Sequence, residues 1–506
     1  MIPKNSDLTI ENLCFSYPEY PGLPTRRLFN GLDLEIVEAG IALLLARPDQ
    51  GKTTLCRTLG GLVPRFSGGS VEGRVQLGSV QLLEHQPFDL LEQVGLVFQH
   101  PGEQLFLSRC DSEIAFALES LGISRSEIEA RLEDALRAMD LERYRKESPK
   151  NLSGGEKKKL LVACLIAVNP QLWLLDETLE ELDSDTKTGL LRLLKERQRT
   201  TLILSAKWHE LFREYVDQVF LMEGGNIQRI QEPLRSPEFH DLLLRRGFIL
   251  PTEGLRGRGG ALRPSSPQPP SAQARGTRAL EAESREGGSL LEAMDLFFEY
   301  EPGDGREGST FSLQIESLKL QAGRTLALVG NNGSGKSTLG QILCGLLTPK
   351  RGAIKIRKNG ILQAAAGDTL NRFTGYLFQD PDLQIFLPTV FEELALGLKH
   401  LHLEAKEISR RVEEAISLFN LPVTDSPPSL MSYGARKRLQ AGVYYLLDRP
   451  LMIIDEGDSG LGVNDFAEMV RVFQNPGRAL LFITHDHRLA QGLADEVLEL
   501  KNGRLL

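Results

Sequence analysis

The sequence predicts an α/β protein of two repeated domains, each organised round a doubly wound parallel sheet. Three observations carry that prediction. The apolar run Thr325-Leu326-Ala327-Leu328-Val329 leads through a glycine-rich turn into Leu339-Gly340-Gln341-Ile342-Leu343, the pattern of a buried strand, a loop and a helix. Two short apolar segments, Leu172 to Leu175 and Leu451 to Ile454, each end in Asp-Glu, and strand ends of such a sheet lie beside a ligand. The third observation is repetition. Lys52 pairs with Lys336, Gln99 with Gln379, Ser153 with Ser432 and Asp176 with Asp455, at offsets of 284, 280, 279 and 279 residues, and a near-constant offset marks a duplicated domain.

A chain of 506 residues exceeds what one core usually supports. The boundaries expected are a first domain over 1–250, a flexible linker over 251–287 and a second domain over 288–506. The linker is rich in Pro, Ser, Gly, Arg and Ala and has no apolar periodicity. As a flexible coil it would reach roughly 35 Å, comparable to a domain width of roughly 45 Å. A net charge of −9 argues against a general nucleic-acid binder. The five cysteines are scattered without metal or redox spacing and read as small buried residues in a reducing compartment. No signal peptide is expected, and the longest apolar run, Leu160 to Val168, is far short of the ~20 residues a membrane-spanning helix needs. Any membrane role is therefore expected to run through partners.

The stretch Gly330-Asn331-Asn332-Gly333-Ser334-Gly335-Lys336-Ser337-Thr338 reads as a phosphate-binding loop. Its glycines let backbone N–H groups turn onto a polyphosphate, the helix start adds its positive dipole end, Lys336 reaches the β and γ phosphates, and Ser337 holds Mg²⁺. The first half carries Ala46-Arg47-Pro48-Asp49-Gln50-Gly51-Lys52-Thr53-Thr54 at this place. There Gly51, Lys52, Thr53 and Thr54 survive, but Ala46 replaces the first glycine. If that position needs positive φ, alanine costs on the order of 1 kcal/mol. Asp49 adds a charge that repels phosphate by up to ~3 kcal/mol at ~5 Å with an effective dielectric near 20. Nucleotide is expected to bind the first half in a loop less suited to turnover.

Both halves then share a Phe-Gln-x-Pro-x-x-Gln-x-Phe frame, at Phe98 to Phe106 and Phe378 to Phe386, in which Gln99 or Gln379 can reach a metal-bound water. Charged amphipathic helices, Arg125 to Leu141 and Glu404 to Asn420, read as solvated faces. They lead into Leu152-Ser153-Gly154-Gly155-Glu156, whose helix-start N–H groups can meet a γ-phosphate. Asp176 and Asp455 can bind Mg²⁺ through water, while Glu177 and Glu456 are positioned to accept a proton from an attacking water.

Phosphate loop, glutamine loop, Leu-Ser-Gly-Gly-Glu signature, Asp-Glu strand and Ile483-Thr484-His485-Asp486, in this order, resemble the ATPase subunits of ABC transporters over essentially both halves. The frame Val97 to Phe106, with Phe15-Ser16-Tyr17-Pro18, resembles the energy-coupling-factor (ECF) branch, which imports vitamins and transition-metal ions. The resemblance implies two P-loop NTPase domains, each with a RecA-like core sheet, an antiparallel β-subdomain and a helical subdomain, and ATP with Mg²⁺ as cofactors. It implies that Tyr17 and Tyr300 stack on adenine and that the halves pair head to tail, each phosphate loop facing the other half's signature. One site then combines Tyr300, Lys336, Ser337, Gln379, Asp455, Glu456 and His485 with Ser153, Gly154, Gly155, Glu156 and Asp183 of the Glu181-Leu182-Asp183 loop. The other combines Tyr17, Lys52, Thr53, Gln99, Asp176 and Glu177 with Met431-Ser432-Tyr433-Gly434-Ala435.

Departures from the family pattern gather in the second combination. Tyr433 replaces a glycine, Ala435 the signature's polar end and Gly462 the loop aspartate, and at nearly the same repeat offset Lys207 falls opposite His485, with His209 two residues on. Hydrolysis is therefore expected at the site with Glu456, His485, Lys336 and Gln379, the other site acting as a nucleotide-held hinge. By the same resemblance the partners are a transmembrane coupling protein, whose arginines would meet Glu103, Asp111, Glu113, Asp380, Asp382, Glu392 and Glu393, and a substrate-capture membrane protein. The expected location is the cytoplasmic face of the cell membrane, with no nucleic-acid partner. A different ABC transporter, a soluble tandem ATPase on ribosomes or nucleic acid, and a nucleotide-gated module with little turnover stay open as alternatives.

Overall fold

The computed structural model describes residues 8–18, 27–37, 39–180, 182–250, 288–300, 311–422 and 427–506. The expected linker, 251–287, lies outside the described residues, as do Glu181 and the side chain of Glu103. The chain divides into two compact units, Met1–Ile249 and Leu250–Leu506.

In the first unit, β1 (Leu8–Ser16), β2 (Arg27–Ile36), β4 (Ser70–Leu77) and β5 (Val80–Gln81) form a sheet in the order β2-β1-β4-β5, all pairs antiparallel. A second sheet has the order β10-β9-β3-β8-β7-β6, with β3 (Ile41–Ala46), β6 (Val94–Val97), β7 (Leu172–Asp176), β8 (Thr200–Ser205), β9 (Gln218–Glu223) and β10 (Asn226–Arg229). Its strands run parallel except at the β9/β10 edge. Every residue of β3, β7 and β8 is buried, which is why these strands read as unbroken apolar runs rather than alternating ones. The helices Cys110–Ser120, Arg125–Ala138 and Gly154–Val168 pack on one another as a separate helical layer.

The second unit repeats this plan. Here the antiparallel strands β11 (Ser289–Glu299), β12 (Ser312–Gln321), β14 (Arg351–Lys358) and β15 (Ile361–Ala365) are joined to the parallel core through β20 (Arg504–Leu505) and β19 (Glu496–Lys501). The core continues β19-β13-β18-β17-β16, with β13 (Thr325–Val329), β16 (Thr374–Leu377), β17 (Leu451–Asp455) and β18 (Ala479–Ile483). All four of its pairings are parallel. Parallel order puts the carboxyl ends of β13, β17 and β18 on one rim, where Gly330, Glu456 and Thr484 follow. No helix among the described residues is long and apolar enough to cross a membrane.

Phe466, wholly buried on helix Val463–Phe473, meets Phe482 of β18 edge to face at 5.8 Å and anchors that helix to the core sheet. Phe466→Ala should destabilise the protein by about 3–5 kcal/mol, measured by urea unfolding followed by circular dichroism; a loss below about 1 kcal/mol would contradict this packing.

Candidate active sites

In the second unit the chain leaves β13 through Gly330 at φ 152, where an added Cβ would stand 2.2 Å from the Leu500 carbonyl oxygen, so only glycine fits. It passes Asn332 and Gly333, φ 75, and turns into helix Lys336–Leu343 through Gly335, φ 102. Ser334 N–H donates to the Asn331 carbonyl at 3.2 Å. The Lys336 ammonium donates to the carbonyls of Gly330 (2.9 Å) and Asn331 (3.1 Å), which centres it in the loop. Tyr300 stands beside the same turn, its hydroxyl 3.0 Å from Thr338 Oγ1. Ser337 donates to Asp455 Oδ1 at 3.1 Å.

Glu456 follows Asp455 at φ 46, a left-handed turn that swings its side chain off the strand. The buried Lys437 ammonium holds that turn by donating to the Glu456 carbonyl at 2.6 Å. His485 Nε2 lies 2.7 Å from Glu456 Oε1 and Nδ1 lies 3.1 Å from the Gly330 carbonyl oxygen. The ring thus bridges the Glu456 carboxylate and the first residue of the phosphate loop. Burial pushes the Glu456 carboxyl up, but the His485 charge and hydrogen bond, with Lys336, outweigh it and hold the group below the usual carboxylate range. The Gln379 side chain makes no hydrogen bond to Asp455 or Glu456.

The first unit keeps the loop and changes its surroundings. Lys52 donates to the carbonyls of Ala46 (2.8 Å) and Arg47 (3.2 Å), matching Lys336, and Gly51 at φ 100 matches Gly335. Tyr17 sits 2.8 Å from Thr54 Oγ1 as Tyr300 does from Thr338. The strain expected at Ala46 is absent: Ala46 is the last residue of β3, paired with Met222, and does not adopt positive φ. Asp49, at φ 65, instead takes the left-handed place of Gly333, a conformation aspartate tolerates better than most residues. Here Glu177, at φ 48, pairs with Lys52 at 3.1 Å and accepts from Gln99 at 2.8 Å, all within the same unit.

Strand register corrects the expected partner of His485. Leu204 of β8 lies opposite Asp176 as Ile483 of β18 lies opposite Asp455, so two residues on, Ala206 corresponds to His485. The Lys207 N–H donates to Ser205 Oγ at 3.1 Å just as the Asp486 N–H donates to Thr484 Oγ1 at 3.1 Å, which fixes Lys207 opposite Asp486. Lys207 is buried 3.9 Å from Glu180, whose carboxyl burial and the neighbouring Glu177 push up to about 7. The imidazole is thus replaced by a methyl group.

The signatures also differ. Ser153 and Glu156 form a reciprocal cap on helix Gly154–Val168: Glu156 Oε2 accepts from the Ser153 N–H at 2.9 Å and hydroxyl at 2.7 Å. Gly154 and Gly155 open that helix, and burial of Glu156 is outweighed by hydrogen bonds from Tyr144 and Ser153, which keep it ionised. In the second unit Ser432 caps helix Tyr433–Leu447 alone, because Ala435 cannot reciprocate. The Tyr433 hydroxyl donates to the Gln379 carbonyl at 2.8 Å, tying this signature to its own glutamine loop. Asp183 is the N-cap of helix Ser184–Arg197, accepting from the Thr186 N–H at 2.8 Å; Gly462 leaves the matching helix without a side-chain cap.

Whether these residues suit Mg²⁺ can be judged from the strand ends. Asp176 and Asp455 are buried, and burial followed by the adjacent Glu177 or Glu456 charge pushes each carboxyl up to about 6. Thr53 lies against Asp176, yet neither carboxylate oxygen reaches hydrogen-bonding geometry with a partner. A buried, unsatisfied carboxylate beside a hydroxyl is an oxygen donor set of the hard kind, so the residues fit. Ser337 with Asp455, and Thr53 with Asp176, would hold the ion, substrate and water oxygens completing its shell; among the described residues no group of three or more His, Cys, Asp or Glu is placed to hold a metal ion by itself.

Some residues with roles here were not legible beforehand. Lys158 repeats Lys437, donating to the Glu177 carbonyl at 3.2 Å from full burial; its place in a lysine run hid it. The second glutamine of each shared frame is a staple: Gln104 accepts from the Phe98 N–H at 2.7 Å and donates to the Leu96 carbonyl at 2.8 Å, and Gln384 does the same with Phe378 and Tyr376. Two acidic docking candidates also prove internal. Glu113 accepts from the N–H groups of Phe106 (2.6 Å) and Leu107 (2.5 Å), and Glu393 from those of Phe386 (3.1 Å) and Leu387 (2.7 Å), so both pin their own loops. Asp111 pairs with Arg109 at 2.5 Å and Asp382 with Arg436 at 2.7 Å.

Comparison with known proteins agrees with this geometry. A Methanosarcina mazei chain described as an ABC transporter ATP-binding protein is 32% identical, covering 100% of this chain and 89% of its own length. A Bacillus subtilis chain whose name assigns it to HMP/thiamine import is 28% identical over 97% of this chain and 89% of its own. Among solved structures, the archaeal ribosome recycling factor aABCE1 superposes with a TM-score of 0.59, covering 97% of this chain and 89% of its own, at 16% identity, a likeness of fold alone. The sequence model of the ABC transporter family matches twice, at residues 29–180 and 313–459, and the chain therefore belongs to that family, as an ATPase with two nucleotide-binding domains in tandem.

Proposed function

We propose that this chain energises a membrane importer of the ECF type, taking up a vitamin or a transition-metal ion, and that ATP is hydrolysed chiefly at the site built on the second unit. The observation that carries the asymmetry is the imidazole bridge. His485 ties Glu456 to the phosphate loop at Gly330, whereas Ala206 stands in its place in the first unit. There Glu177 is engaged by Lys52 and Gln99 instead.

In this reading ATP lies on Gly330 to Thr338 with its adenine against Tyr300, and the loop N–H groups and Lys336 take the β and γ phosphates. Bound Mg²⁺, held by Ser337 and through water by Asp455, would neutralise charge on those phosphates. Glu456 accepts the proton of the attacking water while Lys336 and the nearby His485 stabilise the γ-phosphate as charge grows on it. Lys437 keeps the strained Glu456 turn aimed at that water. The first unit's signature keeps its reciprocal cap, whereas Tyr433 and Ala435 interrupt that of the second. The first unit retains nucleotide as a hinge.

Partners of this ATPase would be a transmembrane coupling protein and a substrate-capture membrane protein, with the chain bound at the cytoplasmic face. The thiamine-import name of one relative supports a vitamin-class cargo. Phe106 and Phe386 end the two shared frames with their rings 67% and 71% exposed, and Leu383 is exposed beside the latter. An apolar side chain held outward by an internally pinned loop suits a partner helix better than solvent.

Glu456→Gln should lower steady-state phosphate release by about 10²-fold or more, with Glu177→Gln keeping most of it; equal losses would contradict the asymmetry. Phe106→Asp with Phe386→Asp should leave ATP turnover of the purified chain intact but abolish co-purification with integral membrane proteins, scored by mass spectrometry. Undiminished recovery of those proteins would exclude this docking surface.

A further inference from the structure

We infer that Tyr376 is a positioning residue for metal-bound nucleotide in the second unit: it fixes the Asp455 carboxylate that grips Mg²⁺, so the two units differ in their demand for the cation. This rests on the reading of Asp455 as a magnesium-holding carboxylate. Tyr376 lies on β16 opposite Ile453 of β17, two residues before Asp455. Its hydroxyl donates to Asp455 Oδ2 at 2.6 Å while Ser337 donates to Oδ1 at 3.1 Å, so both carboxylate oxygens are fixed. When the Ser337 hydroxyl turns to the metal, the Tyr376 bond is what still orients the carboxylate. A phenol this deeply buried needs an acceptor, and Asp455 supplies one with the charge that makes the bond strong.

The seat for the ring is built in. Gly340, on the helix that follows the phosphate loop, faces it so closely that an added Cβ would lie 2.9 Å from Cε2 and 3.3 Å from the hydroxyl oxygen. Phe378 meets the ring edge to face at 5.0 Å. The first unit has neither part. Leu96 holds the matching register opposite Leu174, and Cys56 stands four residues after Lys52 as Gly340 stands four after Lys336. Asp176 is left there with both oxygens unsatisfied. The tyrosine and the glycine that admits it are therefore present together or absent together, in step with the strand-end carboxylate being pinned or loose. Removing a hydrogen-bond partner of a metal-holding group typically weakens metal binding by about 10- to 100-fold.

The test is photolabelling of the full chain with 8-azido-ATP across a Mg²⁺ series, quantifying labelled peptides from each unit separately. Tyr376→Phe should raise the Mg²⁺ needed for half-maximal labelling of the second unit by about tenfold, without moving the first unit's curve or the labelling in EDTA. Asp455→Asn, run in parallel, should abolish the Mg²⁺ dependence of the second unit. If it does and Tyr376→Phe changes nothing, the inference is overturned. If Asp455→Asn changes nothing, the reading beneath it falls too. Should Tyr376→Phe fail to fold, the reciprocal Leu96→Tyr with Cys56→Gly should shift the first unit's curve to lower Mg²⁺, and an unmoved curve would overturn the inference.

Discussion

Two carboxylates side by side at the end of a buried strand repel each other and resist desolvation, and each unit is arranged round the way it meets that problem. Asp176 with Glu177, and Asp455 with the partly buried Glu456, are sequence neighbours largely withdrawn from water. Left alone, one of each pair would take up a proton. The second unit answers with donors aimed at separate atoms: Ser337 and Tyr376 on Asp455, His485 on Glu456, Lys437 on the peptide between strand and loop. The first unit answers with cations. Lys52 meets Glu177 directly, Lys158 holds its carbonyl, and a further buried pair, Glu180 with Lys207, is packed alongside.

These answers have different chemical consequences. A glutamate bonded to an imidazole that also touches the phosphate loop is oriented without losing its capacity to take a proton. A glutamate paired with the phosphate lysine shares that lysine with incoming nucleotide, so binding and base orientation compete. The loops themselves are nearly superimposable in their hydrogen bonds, Lys52 and Lys336 each held by two loop carbonyls. Divergence between the units lies in what surrounds the loop rather than in its grip on phosphate.

Much of this was legible in the sequence because the chemistry sits on contiguous motifs. Strand, loop and helix around Lys336, the Asp-Glu strand ends and the helix start at Ser153 are local patterns, and their spacing carries them. What escaped was set by register or by direction. His485 was matched with Lys207 at an offset of 278 residues, whereas the offset of 279 shared by the serine and aspartate pairs already leads to Ala206, where the β7/β8 and β17/β18 ladders place it. Glu113 and Glu393 were expected to meet the arginines of a partner, but the fold turns them inward onto loop N–H groups. Ala46 was expected to be strained, yet β3 runs one residue longer than β13 and takes it up as strand. Nothing in the sequence singles out Tyr376, since its partner is an aspartate 79 residues away.

The central claim is that one nucleotide per chain is hydrolysed while the other is held. A single-turnover rapid-quench experiment on the assembled transporter, with labelled ATP bound at saturation and the excess chased away, counts both directly. The account predicts one ADP formed and one intact ATP retained per chain on the timescale of turnover. Two ADP per chain, formed at the same rate, would contradict it.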